Sequence, residues 1–211
     1  MSLEISGNTI NGNISLSKWK SYSNFVEENI PANETNGSNK LWAFSYSESW
    51  YGHGQWQNSE DAYLRAYVEG GSSSTGGSAS GTIKTNVDLR KYSEFKIGGT
   101  GSMYKENWDG SDNYTRLKFG IINNGSSTTL QELNNPDYSS SMNDTVYYGW
   151  TISGKFEGDQ LYLTYSGLDN RTETTTINVN GEIQIFCNAY ASSEYPLRGK
   201  AYNGFNIIMV K

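Results

Sequence analysis

A chain of 211 residues with 35% hydrophobic and 14% aromatic residues can bury a sizeable core, and it is too aromatic to be disordered. Its formal net charge of -6, from 16 basic and 22 acidic side chains, excludes a phosphate-backbone partner, because nucleic-acid affinity rests on clustered Lys and Arg. No run approaches the roughly 20 apolar residues of a membrane helix, and the opening MSLEISGNTINGNISLSKWK has no basic region followed by an apolar one, so neither membrane insertion nor an export signal is expected.

Residues 1–40 read as an N-terminal extension or first strands, with room for a short helical turn before Pro31. LWAFSYSES alternates Trp42, Phe44 and Tyr46 against small or polar residues, the period of a half-buried strand. SWYGHGQWQN follows, and then AYLRAYVEG, again with strand period. The segment from Glu69 to Gly81, EGGSSSTGGSASG, reads as a flexible Gly/Ser loop, either a long hairpin or a sheet crossing. Further strands are expected in GTIKTNVDL, SEFKIGG, TRLKFGIIN, TVYYGWTISG, QLYLTYSG, TETTTINVN, GEIQIFCNAY and GFNIIMVK. Asn180-Gly181, between TTTINV and IQIFCNAY, suits a two-residue type I′ hairpin. These elements predict an all-β, jelly-roll-like antiparallel β-sandwich of roughly ten strands in a single domain over 1–211.

From Asp61 the order of elements resembles the galactose-binding-like jelly-roll β-sandwich modules of phage tail, fibre and virion-surface proteins and of gut-bacterial surface proteins. Those modules carry a Val/Ile-Asp-Leu-x-x-Tyr-x-x-Leu/Phe-x-Ile/Val segment; Val87, Asp88, Leu89, Tyr92, Phe95 and Ile97 occupy its places here. The closing NGFNIIMVK likewise resembles their terminal strand. The resemblance implies fold and setting and transfers no catalytic or binding residue. It makes physical sense of the motif: Asp88 can accept bonds from backbone amides just ahead of it, while Leu89, Tyr92 and Phe95 plug the end of the sandwich.

Chemistry narrows by elimination. His53 is the only histidine and Cys187 the only cysteine, which closes multi-histidine metal sites, thiolate zinc sites and intrachain disulfides. There is no Gly-x-Ser-x-Gly elbow for a serine nucleophile, and Cys187, between Phe186 and Asn188 in an apolar run, reads as a buried small hydrophobe. Glycoside hydrolysis needs two carboxyls across a cleft, and the adjacent pairs Glu27-Glu28 and Glu60-Asp61 would point to opposite faces of a strand. For a metal, the remaining candidate is calcium at Asp109, Asp112 and Asn113 in NWDGSDNY, set against an Asp/Asn turn that satisfies its own backbone. No cofactor is expected.

Two aromatic stretches are candidates for glycan contact: Trp50, Tyr51, His53 and Trp56 in the first, and Tyr104, Trp108 and Tyr114 in the second. A sugar stacks its flat C–H face on such rings and gives its hydroxyls to nearby polar groups. The same rings also suit subunit packing. The leading expectation is a non-catalytic structural or decorating protein of a virion or comparable surface assembly, on the virion surface or extracellular, with homo-oligomer partners and contact to host-surface glycans. The alternatives are a carbohydrate-binding module of a secreted or cell-surface bacterial protein and a glycan hydrolase or lyase.

Overall fold

The computed structural model describes residues 4–6, 9–11, 20–22, 37–38, 42–50, 53–58, 64–70, 77–105, 114–134, 144–168, 170–193 and 199–211. Before residue 77 it describes backbone alone, except for the exposed side chains of Ser45 and Ser47. Within these residues β1 (Glu4–Ser6) and β2 (Thr9–Asn11) form a small ladder of their own. A six-stranded antiparallel sheet has the order β11 (Ser126–Asn134), β10 (Tyr114–Asn123), β15 (Ile183–Ser193), β8 (Gly77–Thr85), β5 (Trp42–Trp50) and β4 (Gly37–Ser38). The larger antiparallel sheet runs β14 (Thr172–Asn178), β13 (Gln160–Ser166), β12 (Asp144–Glu157), β9 (Glu94–Lys105), β16 (Gly199–Val210), β7 (Leu64–Gly70) and β6 (His53–Asn58), with β3 (Lys20–Tyr22) also paired to β16. The fold is the expected jelly-roll-like β-sandwich, with short strands added to the long ones.

Alternation decides which residues meet between the sheets. Ile83, Leu117, Phe119, Ile121, Ile185, Cys187 and Ala189 of the six-stranded sheet face Phe95, Ile97, Met103, Trp150, Ile152, Leu161, Leu163 and Phe205 of the other, all of them buried. Trp150 is the centrepiece. It stacks on Phe119 with ring centroids 4.8 Å apart and meets Phe205 edge-on at 5.6 Å. The indole needs Gly99 opposite it, because a Cβ there would run into the Trp150 ring and the Gly204 carbonyl. In β16 the inward phase changes from Ala201, Asn203 and Phe205 to Ile208 and Val210 because the register shifts between Phe205 and Ile207, as a β-bulge does.

One buried polar group ties the sheets together. Asn203 Oδ1 accepts from Trp150 Nε1 at 2.9 Å, and its Nδ2 donates across the core to the carbonyls of Asn188 (2.9 Å) and Lys118 (3.0 Å). Every hydrogen-bonding group of that amide is satisfied, so the link is rigid rather than costly.

The Asp88 segment behaves as its sequence predicts. Asp88 Oδ1 accepts from the amides of Arg90 and Ile183, both at 3.0 Å, and caps a 3-10 turn over Leu89–Lys91. Leu89 and Phe95 are fully buried below it, with Tyr92 packed against the same core.

Two sequence expectations are corrected. Asn180-Gly181 does not close a hairpin: β14 pairs with β13, whereas β15 lies between β10 and β8 in the other sheet. The reason is burial, since residues 183–189 are buried without a break and take a central position, while the Thr-rich β14 stays at an edge. The Asn-Gly hairpin sits instead at Asn124-Gly125 (φ 51° and 81°), joining β10 to β11. The Gly/Ser segment is also strand at both ends: Glu69 and Gly70 end β7 of the larger sheet, and Gly77–Gly81 begin β8 of the six-stranded sheet. The helical turn expected before Pro31 lies outside the described residues.

Candidate functional site

The outer face of the larger sheet is built by cross-strand register. Opposite Tyr147 on β12 lies Ser102 on β9, and opposite Ser102 lies Tyr202 on β16. The neighbouring row holds Thr145, Tyr104 and Lys200. With strands about 4.8 Å apart, Tyr147 and Tyr202 are about 10 Å from each other across Ser102, and Tyr104 is diagonal to both. Their outward position follows from phase: Val146, Tyr148 and Trp150 alternate with Tyr147 along β12, and Trp150 is in the core.

Further along the same face, successive rows read Thr100 and Gly149, then Gly98, Thr151, Ser166 and Thr172, then Lys96, Ser153, Thr164 and Thr174, then Glu94, Lys155, Tyr162 and Thr176. Apart from the exposed Lys96, the middle is therefore floored by glycines and short hydroxyl side chains, two of which, Thr151 Oγ1 and Ser166 Oγ, lie 3.2 Å apart. A groove of about 440 Å³ runs between β13 and β14, lined by Tyr162, Leu163, Thr164 and Thr174 to Thr176. Among the described residues, the exposed large hydrophobic side chains are Tyr147 at 80% and Tyr162 at 41%, and both are on this face.

Apart from Lys96, charge lies toward the two ends of the face. Glu94 faces Lys211 Nζ at 3.4 Å, and Glu157 is ion-paired with Lys155; that hydrogen bond to Glu157 raises the Lys155 pKa above its ordinary value, keeping it cationic. Glu94 and Glu157 approach the face only at its end farthest from Tyr147. Among the described residues no group of three His, Cys, Asp or Glu side chains could hold a metal ion. Cys187 is fully buried, which pushes its thiol pKa up and leaves it protonated.

The register also locates the residues singled out in the sequence. Trp50 ends β5 opposite Gly77 in the six-stranded sheet, whereas His53 and Trp56 belong to β6 of the larger sheet, opposite Glu69 and Ala66. The first aromatic stretch thus spans a crossing between sheets. The backbone of His53 shares a row with Glu69, Lys200 and Tyr104. Tyr51, Trp108, Asp109, Asp112 and Asn113 lie outside the described residues, as do the side chains of Trp50, His53 and Trp56.

Tyr104 and Tyr114 belong to different sheets. On the outer face of the six-stranded sheet, Tyr114 donates to Asn134 Oδ1 and meets Tyr190 edge-on at 5.7 Å, and the Arg116 guanidinium covers the Tyr190 ring at 5.2 Å. Asn188 there bonds Ser80, Gly81 and Thr82 through its Nδ2. Two buried atoms of this cluster, Arg116 Nε and Asn188 Oδ1, have no hydrogen-bond partner.

Tyr147, Tyr162 and Tyr202 did not stand out in the sequence because they sit inside strands rather than in aromatic loops. The signal that finds them is phase: in TVYYGWTISG a tyrosine occupies the polar phase of a strand whose other phase is aromatic and apolar.

No protein-family model matches the chain, and no curated protein matches it. Similar solved structures include the carbohydrate recognition domain of Emp46p in its potassium-bound form, at 9% identity over 80% of this chain and 87% of that one, with a TM-score of 0.40. The family 11 xylanase from Neocallimastix patriciarum aligns at 10% identity over 90% and 99% of the two chains, with a TM-score of 0.39. Peanut lectin with a 9mer peptide aligns at 9% identity over 92% and 98%, with a TM-score of 0.37. What this chain does has to be read from its own residues.

Proposed function

We propose that this protein is a non-catalytic carbohydrate-binding module whose ligand lies on the outer face of the larger sheet. The observation that carries the reading is the pairing of Tyr147 and Tyr162, two exposed rings on one sheet face, joined along β12 and β13 by outward glycine and hydroxyl side chains. A ring at 80% exposure contributes little to the core, whereas it offers a flat apolar surface to the C–H face of a sugar. Thr145, Thr151, Ser153 and Thr164 supply donors and acceptors for sugar hydroxyls. Of the functions expected from sequence, this is the carbohydrate-binding alternative; the virion setting gains no support from the face. Hydrolysis would need two carboxyls beside the bound sugar, and Glu94 and Glu157 are instead engaged by lysines at the rim.

The test is a glycan array probed with the intact chain and with Tyr147→Ala. Retention of the chain on a defined set of glycans, reduced at least tenfold by Tyr147→Ala, supports the reading. Failure of the intact chain to bind any glycan, or binding indifferent to Tyr147, overturns it.

A further inference from the structure

The arrangement of the same face narrows its ligand class, and this step rests on the glycan-binding reading. Tyr162 lies directly opposite Lys155, eight residues along β12 from Tyr147. At about 3.4 Å per residue the two exposed rings are about 27 Å apart along the strand direction, the length of several sugars rather than one. Between them the path over β12 and β13 passes Gly149, Thr151, Ser166, Ser153 and Thr164, with no charged side chain on either strand before Lys155; the charged neighbour beside it is Lys96 on β9, opposite Ser153. At Gly149 the face is open: a Cβ there would have nothing within 4 Å. The path ends in the groove beside Tyr162. A site for a single terminal sugar needs one ring and a cluster of polar groups around it; it has no use for a second exposed ring in line with the first.

We infer that the ligand is a linear, uncharged polysaccharide bound internally, lying along β12 from Tyr147 to the Tyr162 groove. A neutral chain matches the two strands it follows, whose outward side chains are glycine and hydroxyl up to Lys155, and its repeated C–H faces and hydroxyls match rings at both ends with hydroxyl side chains between. Tyr147 and Tyr162 then act as separate subsites of one chain, and the open space over Gly149 is where the chain passes.

The experiment is affinity electrophoresis of the intact protein in gels containing xylan, galactomannan or mixed-linkage β-glucan, with polygalacturonate as the anionic probe. Calorimetry follows with the disaccharide-to-hexasaccharide series of whichever neutral polymer retards it. Two variants probe the path: Tyr162→Ala, and Gly149→Leu, whose Cβ enters open space and which is checked for folding by thermal unfolding. The inference predicts retardation by a neutral polymer and not by polygalacturonate, with affinity rising along the series. Each variant should lose about tenfold for the hexasaccharide and little for the disaccharide. Equal affinity for all lengths, with Tyr147→Ala still damaging and both path variants harmless, overturns the linear-chain inference while leaving glycan binding standing. Preference for polygalacturonate overturns the uncharged class. Absence of binding to every glycan, on the array and in the gels, overturns the proposed function and the inference with it.

Discussion

On the outer face of the six-stranded sheet the tyrosines are spent on one another: Tyr190 lies under Arg116 and against Tyr114, whose hydroxyl is taken by Asn134. On the outer face of the larger sheet Tyr147 and Tyr162 stand in solvent above glycines and short hydroxyls. Both faces are made by the same alternation of the same kinds of residue. What separates them is cross-strand register: Tyr190 has an arginine opposite it on β10, whereas Tyr147 has a serine opposite it on β9. A large neighbour covers a ring and turns it into packing, while a small one leaves it open to a ligand.

The largest expected effect falls on what both faces share. Asn203→Leu leaves the buried Trp150 indole N–H without its acceptor and removes both cross-sheet hydrogen bonds to the Asn188 and Lys118 carbonyls, and should cost about 3 kcal/mol or more in urea unfolding. A cost below about 1 kcal/mol would mean that the sheets do not depend on this link. Next is Tyr147→Ala, which should weaken glycan binding at least about tenfold, or about 1.4 kcal/mol. Tyr190→Ala should show the reverse pattern, lowering stability by about 1 kcal/mol through lost ring and cation contacts while leaving glycan affinity unchanged. The effect of Tyr147→Ala on stability should stay within about 0.5 kcal/mol, as for an exposed side chain away from structural features; a larger loss would place that ring in the packing class with Tyr190. The smallest effect is at Cys187: its thiol, buried and held protonated, should not react with a thiol reagent at pH 8 in the folded protein and should react fully in denaturant.

The strands were legible in the sequence wherever one phase was apolar. LKFGII, TVYYGWTISG and QLYLTYSG each show the inward row that packs the core. β11, whose first four residues Ser126 to Thr129 are all exposed, gave no such row and was not expected. The partner of a strand was less legible than its existence. Asn180-Gly181 has the composition of a hairpin turn, yet the continuous burial of the following strand sends it to the other sheet. The site was hidden for the same reason. Tyr104, Tyr147, Tyr162 and Tyr202 lie on four strands that only pairing brings to one face, and Tyr104 alone of these was singled out, through its place in an aromatic loop. Phase within a strand can be read from a sequence; register between distant strands depends on which strands pair.

The central claim is that the open face of the larger sheet, not the closed face of the smaller one, binds the glycan. Amide chemical-shift mapping of the isotope-labelled protein, titrated with the best-binding oligosaccharide, tests it most directly. The account predicts shifts concentrated at Tyr147, Gly149, Thr151, Ser153, Tyr162 and Thr164. Shifts concentrated instead at Arg116, Asn188 and Tyr190, where two buried polar atoms await partners, would contradict it.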